Sequence, residues 1–141
     1  MTFWDSSALL SLVLRQGATE ELEVLAASGR AMAFWWGMKV EARATLSRVQ
    51  RRGEIDELTA ARLWTQVEAL TATAHEVGPS EEVRTTAYQV VRVHELRAAD
   101  ALQLAAALVW ADQRPAGIGF VCLDRRLRGA AEREGFDVLP R

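Results

Sequence analysis

At 141 residues, 50% hydrophobic and 26% charged, the chain fits one domain over 1–141 with a single core, and it is too apolar for a disordered segment. Its single cysteine, Cys122, excludes an internal disulfide, and no uncharged stretch reaches the length of a membrane span, so a cytoplasmic protein without a membrane partner is expected. The net charge of −2 supplies no overall basic footprint for nucleic acid, although arginines group locally at Arg43 and Arg48, Arg51-Arg52, Arg92 and Arg97, and Arg125-Arg126 with Arg128.

The opening Met1-Thr2-Phe3-Trp4 predicts a strand over 1–4; Asp5 interrupts it and no basic leader precedes it, which argues against a signal peptide. Residues 6–15, with Ala8-Leu9-Leu10 and Leu12-Val13-Leu14, predict a helix apolar nearly all round and so buried on most sides. A helix over 19–28 ends at Gly29, and a strand follows at 31–35. The helix over 38–52 stops at Gly53, and the next, over 59–73, carries Leu63, Val67 and Leu70 at helical spacing. After a strand at 75–77, Pro79 and Ser80-Glu81-Glu82 open a helix whose inner face is Val83, Ala87 and either Val90 or Val91. The alanine-rich stretch 98–112 is a strong helix former. A strand at 119–123, a short basic helix from Asp124 to Gly135 and a strand at 136–139 complete the order. Strands alternating with helices predict an α/β fold with a mostly parallel sheet.

Four acids stand where a soluble domain rarely puts them: Asp5, Glu41, Asp100 and Asp124. Asp5, Asp100 and Asp124 each suit a helix N-cap, accepting from free backbone N–H groups, and Glu41 alone suits a solvated helix face. Their joint placement points elsewhere. Asp5 and Asp124 directly follow strands, at the carboxyl edge where open α/β sheets bind ligands, and Glu41 lies just beyond the second strand. Asp100 sits among alanine and leucine, with Gln103 as its nearest polar neighbour, and a buried charge there needs a partner. Two carboxylates ~5 Å apart repel by roughly 3 kcal/mol at an effective dielectric of about 20. A bound cation removes that repulsion. The donors are all oxygen, and His75 and His94 lack zinc-type spacing and read as structural or surface residues; the expected metal is Mg²⁺ or Mn²⁺. Such a site suits phosphodiester hydrolysis, the metal acting as Lewis acid on phosphate and water and one acid as general base.

At these residues the chain resembles the PIN-domain nucleases, and within them the VapC-type toxins of bacterial toxin–antitoxin pairs. The matching stretches are Trp4-Asp5-Ser6-Ser7-Ala8-Leu9-Leu10, Val40-Glu41-Ala42-Arg43, Leu96-Arg97-Ala98-Ala99-Asp100-Ala101-Leu102-Gln103-Leu104-Ala105 and Leu123-Asp124-Arg125-Arg126-Leu127. The resemblance implies a PIN-like three-layer α/β/α domain around a parallel sheet of about five strands. It implies a Mg²⁺-dependent endoribonuclease acting on RNA, a small antitoxin protein that blocks the site, and a homodimer. On the family pattern Asp5, Glu41, Asp100 and Asp124 are the metal-binding catalytic acids and Ser6 supports them. Apart from the resemblance, Arg43, Arg97, Arg125 and Arg126 lie near the acids and suit phosphate binding, and solvated helix faces explain most of them equally well. The chain departs from that pattern at Phe34-Trp35-Trp36-Gly37, where a small hydroxyl residue is usual, at Gln103, often histidine, and at Cys122, often threonine or serine.

Of Trp35 and Trp36, adjacent on a strand and so facing opposite sides, one is expected in the core; the other, if exposed, is free to stack on an RNA base or to anchor an antitoxin side chain. The alternative from another class is a catalytically silent PIN-fold module that binds RNA or a protein. A haloacid dehalogenase-type phosphatase needs a second aspartate two residues after the first, where this chain has Ser7, and a nucleotide-binding loop is disfavoured because Gly117-Ile118-Gly119 precedes a strand.

Overall fold

The structure is a computed structural model and describes residues 1–17 and 19–141. Its elements are β1 (Thr2–Trp4), α1 (Ser6–Leu14), α2 (Thr19–Ala27), β2 (Met32–Trp35), α3 (Met38–Arg51), α4 (Glu57–Thr71), β3 (His75–Val77), α5 (Glu81–Val93), α6 (Ala98–Trp110), β4 (Gly119–Val121), α7 (Arg125–Glu134) and β5 (Asp137–Leu139). Every expected strand and helix is present, with ends displaced by a residue or two. The five strands are all parallel in the order β3-β2-β1-β4-β5, between two helical layers, which is the expected three-layer α/β/α architecture.

Two boundary shifts have local causes. α4 begins ahead of Thr59 because Asp56 caps it, accepting from the Thr59 N–H at 2.7 Å. β4 stops at Val121 because the Leu123 N–H donates to Ser7 Oγ at 3.0 Å rather than to a neighbouring strand.

Side-chain alternation divides the core. Phe3, Ala33, Trp35 and Phe120 face α5, α6 and α7, with the Phe3 and Phe120 rings stacked at 5.7 Å. Phe34 faces α1, α3 and α4, while Trp4 and Val121 meet Ala8 and Leu22 from α1 and α2. Phe3, Trp4 and Phe34 are essentially fully buried, each contributing about 2–3 kcal/mol of apolar burial. The alanines of α6, Ala101 and Ala105 to Ala107, let its backbone approach the sheet closely. On α5, Val90 is the buried member of its pair and Val91 is exposed. No described helix is long and apolar enough to cross a membrane.

Both histidines lie away from the acids. His75 is exposed on the edge strand β3. His94 is buried, its Nε2 2.6 Å from Glu134 Oε1, and ties the end of α5 to α7. Arg128 is likewise structural: Nη1 donates to the carbonyls of Cys122 (2.7 Å) and Leu139 (3.2 Å), and Nη2 to that of Pro140 (2.7 Å). It clamps the ends of β4 and β5 and is not free to hold phosphate.

Candidate active site at the carboxyl edge of the sheet

The chain runs β1, β2, β3 towards one edge and then places β4 and β5 on the other side of β1. The order therefore reverses between β1 and β4, and the crevice at the carboxyl ends of those strands is where such sheets take ligands. Asp5 and Asp124 stand there.

Asp5 is buried, and its N–H donates to the Val121 carbonyl at 3.0 Å, pinning β1 to β4. Its Oδ2 accepts from the Ser7 N–H at 3.0 Å, which caps α1, from Ser7 Oγ at 2.5 Å and from Cys122 Sγ at 3.5 Å. Burial holds its carboxyl above the usual range, against the opposing pull of the Ser7 bonds. Burial likewise raises the Cys122 thiol, with Asp5 adding to the effect.

Glu41 lies in the first turn of α3. The Ser6 hydroxyl donates to its Oε2 at 2.8 Å and lies 3.4 Å from Asp5 Oδ1, so Ser6 stands between the two acids. A hydroxyl has one proton, and the shorter contact takes it. Gln103 Nε2 reaches both Glu41 oxygens at 3.4 Å; Gln103 is fully buried and its Oε1 has no hydrogen-bond partner. Burial raises the Glu41 carboxyl above its ordinary value, and the charges of Asp5 and Asp100 push it the same way.

Asp100 is the third residue of α6, whose N-cap is Arg97, with no side-chain cap bond. Capping therefore accounts for Asp5 and Asp124 but not for Asp100. Burial raises its carboxyl, as do Asp124 and Asp5, while Arg97 works in the opposite direction. Asp124 is exposed and caps α7, accepting from the Leu127 N–H at 2.9 Å.

These electrostatic couplings run Glu41–Asp5–Asp100–Asp124. Among the described residues no group of three or more His, Cys, Asp or Glu side chains is close enough to hold a metal ion as placed. The arrangement is an open string of oxygens, not a closed cage. Its donor chemistry nevertheless suits a hard divalent cation: three partly or wholly buried carboxylates repel one another, and among the described residues Arg97 is the one cation that lowers the Asp100 carboxyl.

The arginines separate. Arg97 neighbours Asp100, and Arg125 and Arg126 follow Asp124 on the exposed start of α7. Arg43, two residues and about 200° round the helix from Glu41, places its guanidinium 4.7 Å from the Trp64 ring centre, away from the acids. Of the tryptophan pair, Trp35 is buried and Trp36 is 50% exposed.

Ser7 is a residue that sequence reasoning passed over in favour of Ser6. Its hydroxyl donates to Asp5 and accepts from the Leu123 N–H, joining the two strand ends at the crevice. The only sequence signal was the hydroxyl at the second helical position after a capping aspartate. Ser7→Ala leaves both partners short of a bond. If the acids hold a divalent cation, its affinity is expected to fall about 10–100-fold, as loss of a residue supporting a ligand typically does, with titration calorimetry as the check.

The whole chain shares its fold with solved structures. FitAcB from Neisseria gonorrhoeae superposes with a TM-score of 0.68 at 16% identity, over 99% of this chain and 97% of that one. PAE2754 from Pyrobaculum aerophilum superposes with a TM-score of 0.61 at 21% identity, over 92% and 78%. No protein-family model and no curated protein sequence matches the chain.

Proposed function

We propose that this PIN-type α/β/α chain is a Mg²⁺-dependent endoribonuclease, with Mn²⁺ able to replace Mg²⁺, and the toxin of a toxin–antitoxin pair. The observation that carries the reading is the placement of mutually repelling carboxylates, Asp5, Glu41 and Asp100 with Asp124, in the crevice between the ends of β1 and β4. In this reading the four acids hold the metal, which supplies Lewis-acid activation of phosphate and water when bound.

The chain's own groups prepare the rest. Ser7 and the α1 N-terminus fix Asp5, Ser6 and the Gln103 amide orient Glu41, and Arg97 and Arg125 stand beside the acids to hold RNA phosphates. Glu41, whose raised proton affinity comes from burial and neighbouring charge, is assigned as proton acceptor for the attacking water. Arg43, committed to Trp64, is left out of the phosphate-holding set. A small antitoxin that covers the acidic crevice and a homodimeric state follow from the motif resemblance.

The open spacing of the acids favours one other reading, a PIN-fold module that binds RNA or a protein without cutting. Incubation of the purified chain with a small-RNA pool decides between them. Cleavage with Mg²⁺, its loss in EDTA and its return on adding excess Mg²⁺ are the expected results. Folded, partner-free protein that binds RNA but leaves it intact with either metal would establish the silent module instead.

A further inference from the structure

We propose that Trp36 is a stacking platform for one unpaired nucleobase of the RNA strand crossing the acidic crevice; the proposal rests on the ribonuclease reading and names a base-binding subsite for it. Two observations place Trp36 at the same edge of the sheet as the acids. Trp36 directly follows β2, the strand paired with β1, so the chain leaves the sheet there at the same carboxyl edge where Asp5 leaves β1. Trp36 directly precedes Gly37, the N-cap of α3, and Glu41 is the fourth residue of that helix. The Trp36 side chain is half exposed there.

The platform is also built to stay in place. The Trp36 backbone N–H donates to the Val77 carbonyl at 2.9 Å, tying the turn to β3. The buried Trp35 ring meets the Trp36 ring edge-on, with centroids 6.3 Å apart and planes at 72°. Gly37 is needed for this packing, because a Cβ there would run into Trp35 Nε1. An indole held in this way gives up little freedom on binding, and a flat ring half open to solvent matches the face of a single base.

A protein side chain is the less suitable occupant. Of the neighbouring residues on α3, Val40 is exposed and apolar, while Lys39 and Glu41 are charged, so that helix adds only one small apolar side chain to the ring. A stable protein interface needs about 1,000 Å² or more with a contiguous apolar centre, far beyond that.

Stacking on one base is sequence-tolerant and adds binding without chemistry, so its loss is read in affinity and KM rather than in kcat. The test uses the full chain, an unstructured oligoribonucleotide as probe, and Trp36→Ala beside Trp36→Phe. Trp36→Ala is expected to weaken RNA binding and raise KM about 10-fold, Trp36→Phe by about 3-fold or less, both with kcat and Mg²⁺ affinity near wild type. Wild-type protein that binds and cuts the probe while Trp36→Ala does so equally well overturns the stacking subsite and leaves the nuclease standing. So does unchanged RNA affinity combined with lost antitoxin binding, which would make Trp36 a protein anchor. Folded wild-type protein that neither binds nor cuts the probe in Mg²⁺ overturns the ribonuclease reading, and the subsite with it.

Discussion

Asp100→Asn is expected to abolish RNA cleavage while making the metal-free protein harder to melt. Both effects have one source. Asp100 is not spent on capping α6, unlike Asp5 and Asp124 on their helices, so its carboxylate has no structural return. Its proton affinity is raised by burial first, then by the negative charges of Asp124 and Asp5. A neutral amide of the same shape removes that repulsion. The site is partly open to water, so solvent screening limits the gain to roughly 1 kcal/mol, or about 3–5 °C in melting temperature. Removing a carboxylate from the proposed metal set is expected to lower cleavage by about 10³-fold or more, comparable with losing a main source of charge stabilisation in a hydrolase.

The pH dependence carries the same sign. Asp5, Glu41 and Asp100 all have folded-state values raised above their ordinary 3.8, 4.5 and 3.8. A raised carboxylate leaves its stabilising contribution intact below the ordinary value and loses it as pH climbs through the folded one. The metal-free protein is therefore expected to lose part of its melting temperature as pH rises from about 4 towards neutrality. Asp100→Asn is expected to flatten that slope, and under the proposed metal reading saturating Mg²⁺ is expected to offset the loss at neutral pH. Thermal scans across pH, with and without Mg²⁺, beside a cleavage assay, check each arm. A variant that cuts RNA like wild type, or melts lower than wild type without metal, would sink this account of Asp100.

Arg128→Ala is expected to be the most destabilising substitution among the arginines, by about 3 kcal/mol, or roughly 10 °C. The guanidinium donates to three main-chain carbonyls at the ends of β4 and β5, and its truncation strips all three of a charged donor at once. Arg125→Ala, on the exposed start of α7, is expected to change stability by about 0.5 kcal/mol or less. Urea unfolding of the two variants side by side tests the difference. Equal midpoints would show that Arg128 is no clamp.

Much of this was legible in the chain. β1, β2 and β4 were plain because short apolar runs end at Asp5, Gly37 and Asp124, and the helices because their apolar residues repeat at helical spacing. The positions of Asp5 and Asp124 relative to their strands also carried through, since an acid directly after a buried strand can only lie at its carboxyl end. What a linear sequence could not give was the lateral order of the strands. β1 pairs with β4 across more than a hundred residues, bringing Phe3 onto Phe120 and Trp4 beside Val121.

The same blindness to distance hid the work of the polar side chains. Arg43 and Arg128 look alike in sequence to Arg97 and Arg125, yet one lies over Trp64 and the other clamps two strand ends. Ser7 was unremarkable until Leu123 proved to be its neighbour. Alternation required one tryptophan of the pair to turn inwards but could not choose it, because helices cover both faces of the sheet; Phe34, packed against α3 and α4, settles that Trp35 takes the opposite face.

The interleaved strand order has a consequence for the chain as it is being made. β1 lies at the middle of the sheet, but its β4 flank, and with it Asp124, is translated 83 residues after Glu41. At 5–20 residues per second that is a delay of about 4–17 s. Throughout it the nascent chain has at most Asp5, Glu41 and, late on, Asp100, with the crevice lacking one wall. A polypeptide emerging among ribosomal and transfer RNA thus carries an unfinished set of acids, and order of synthesis alone postpones the assembly of the site.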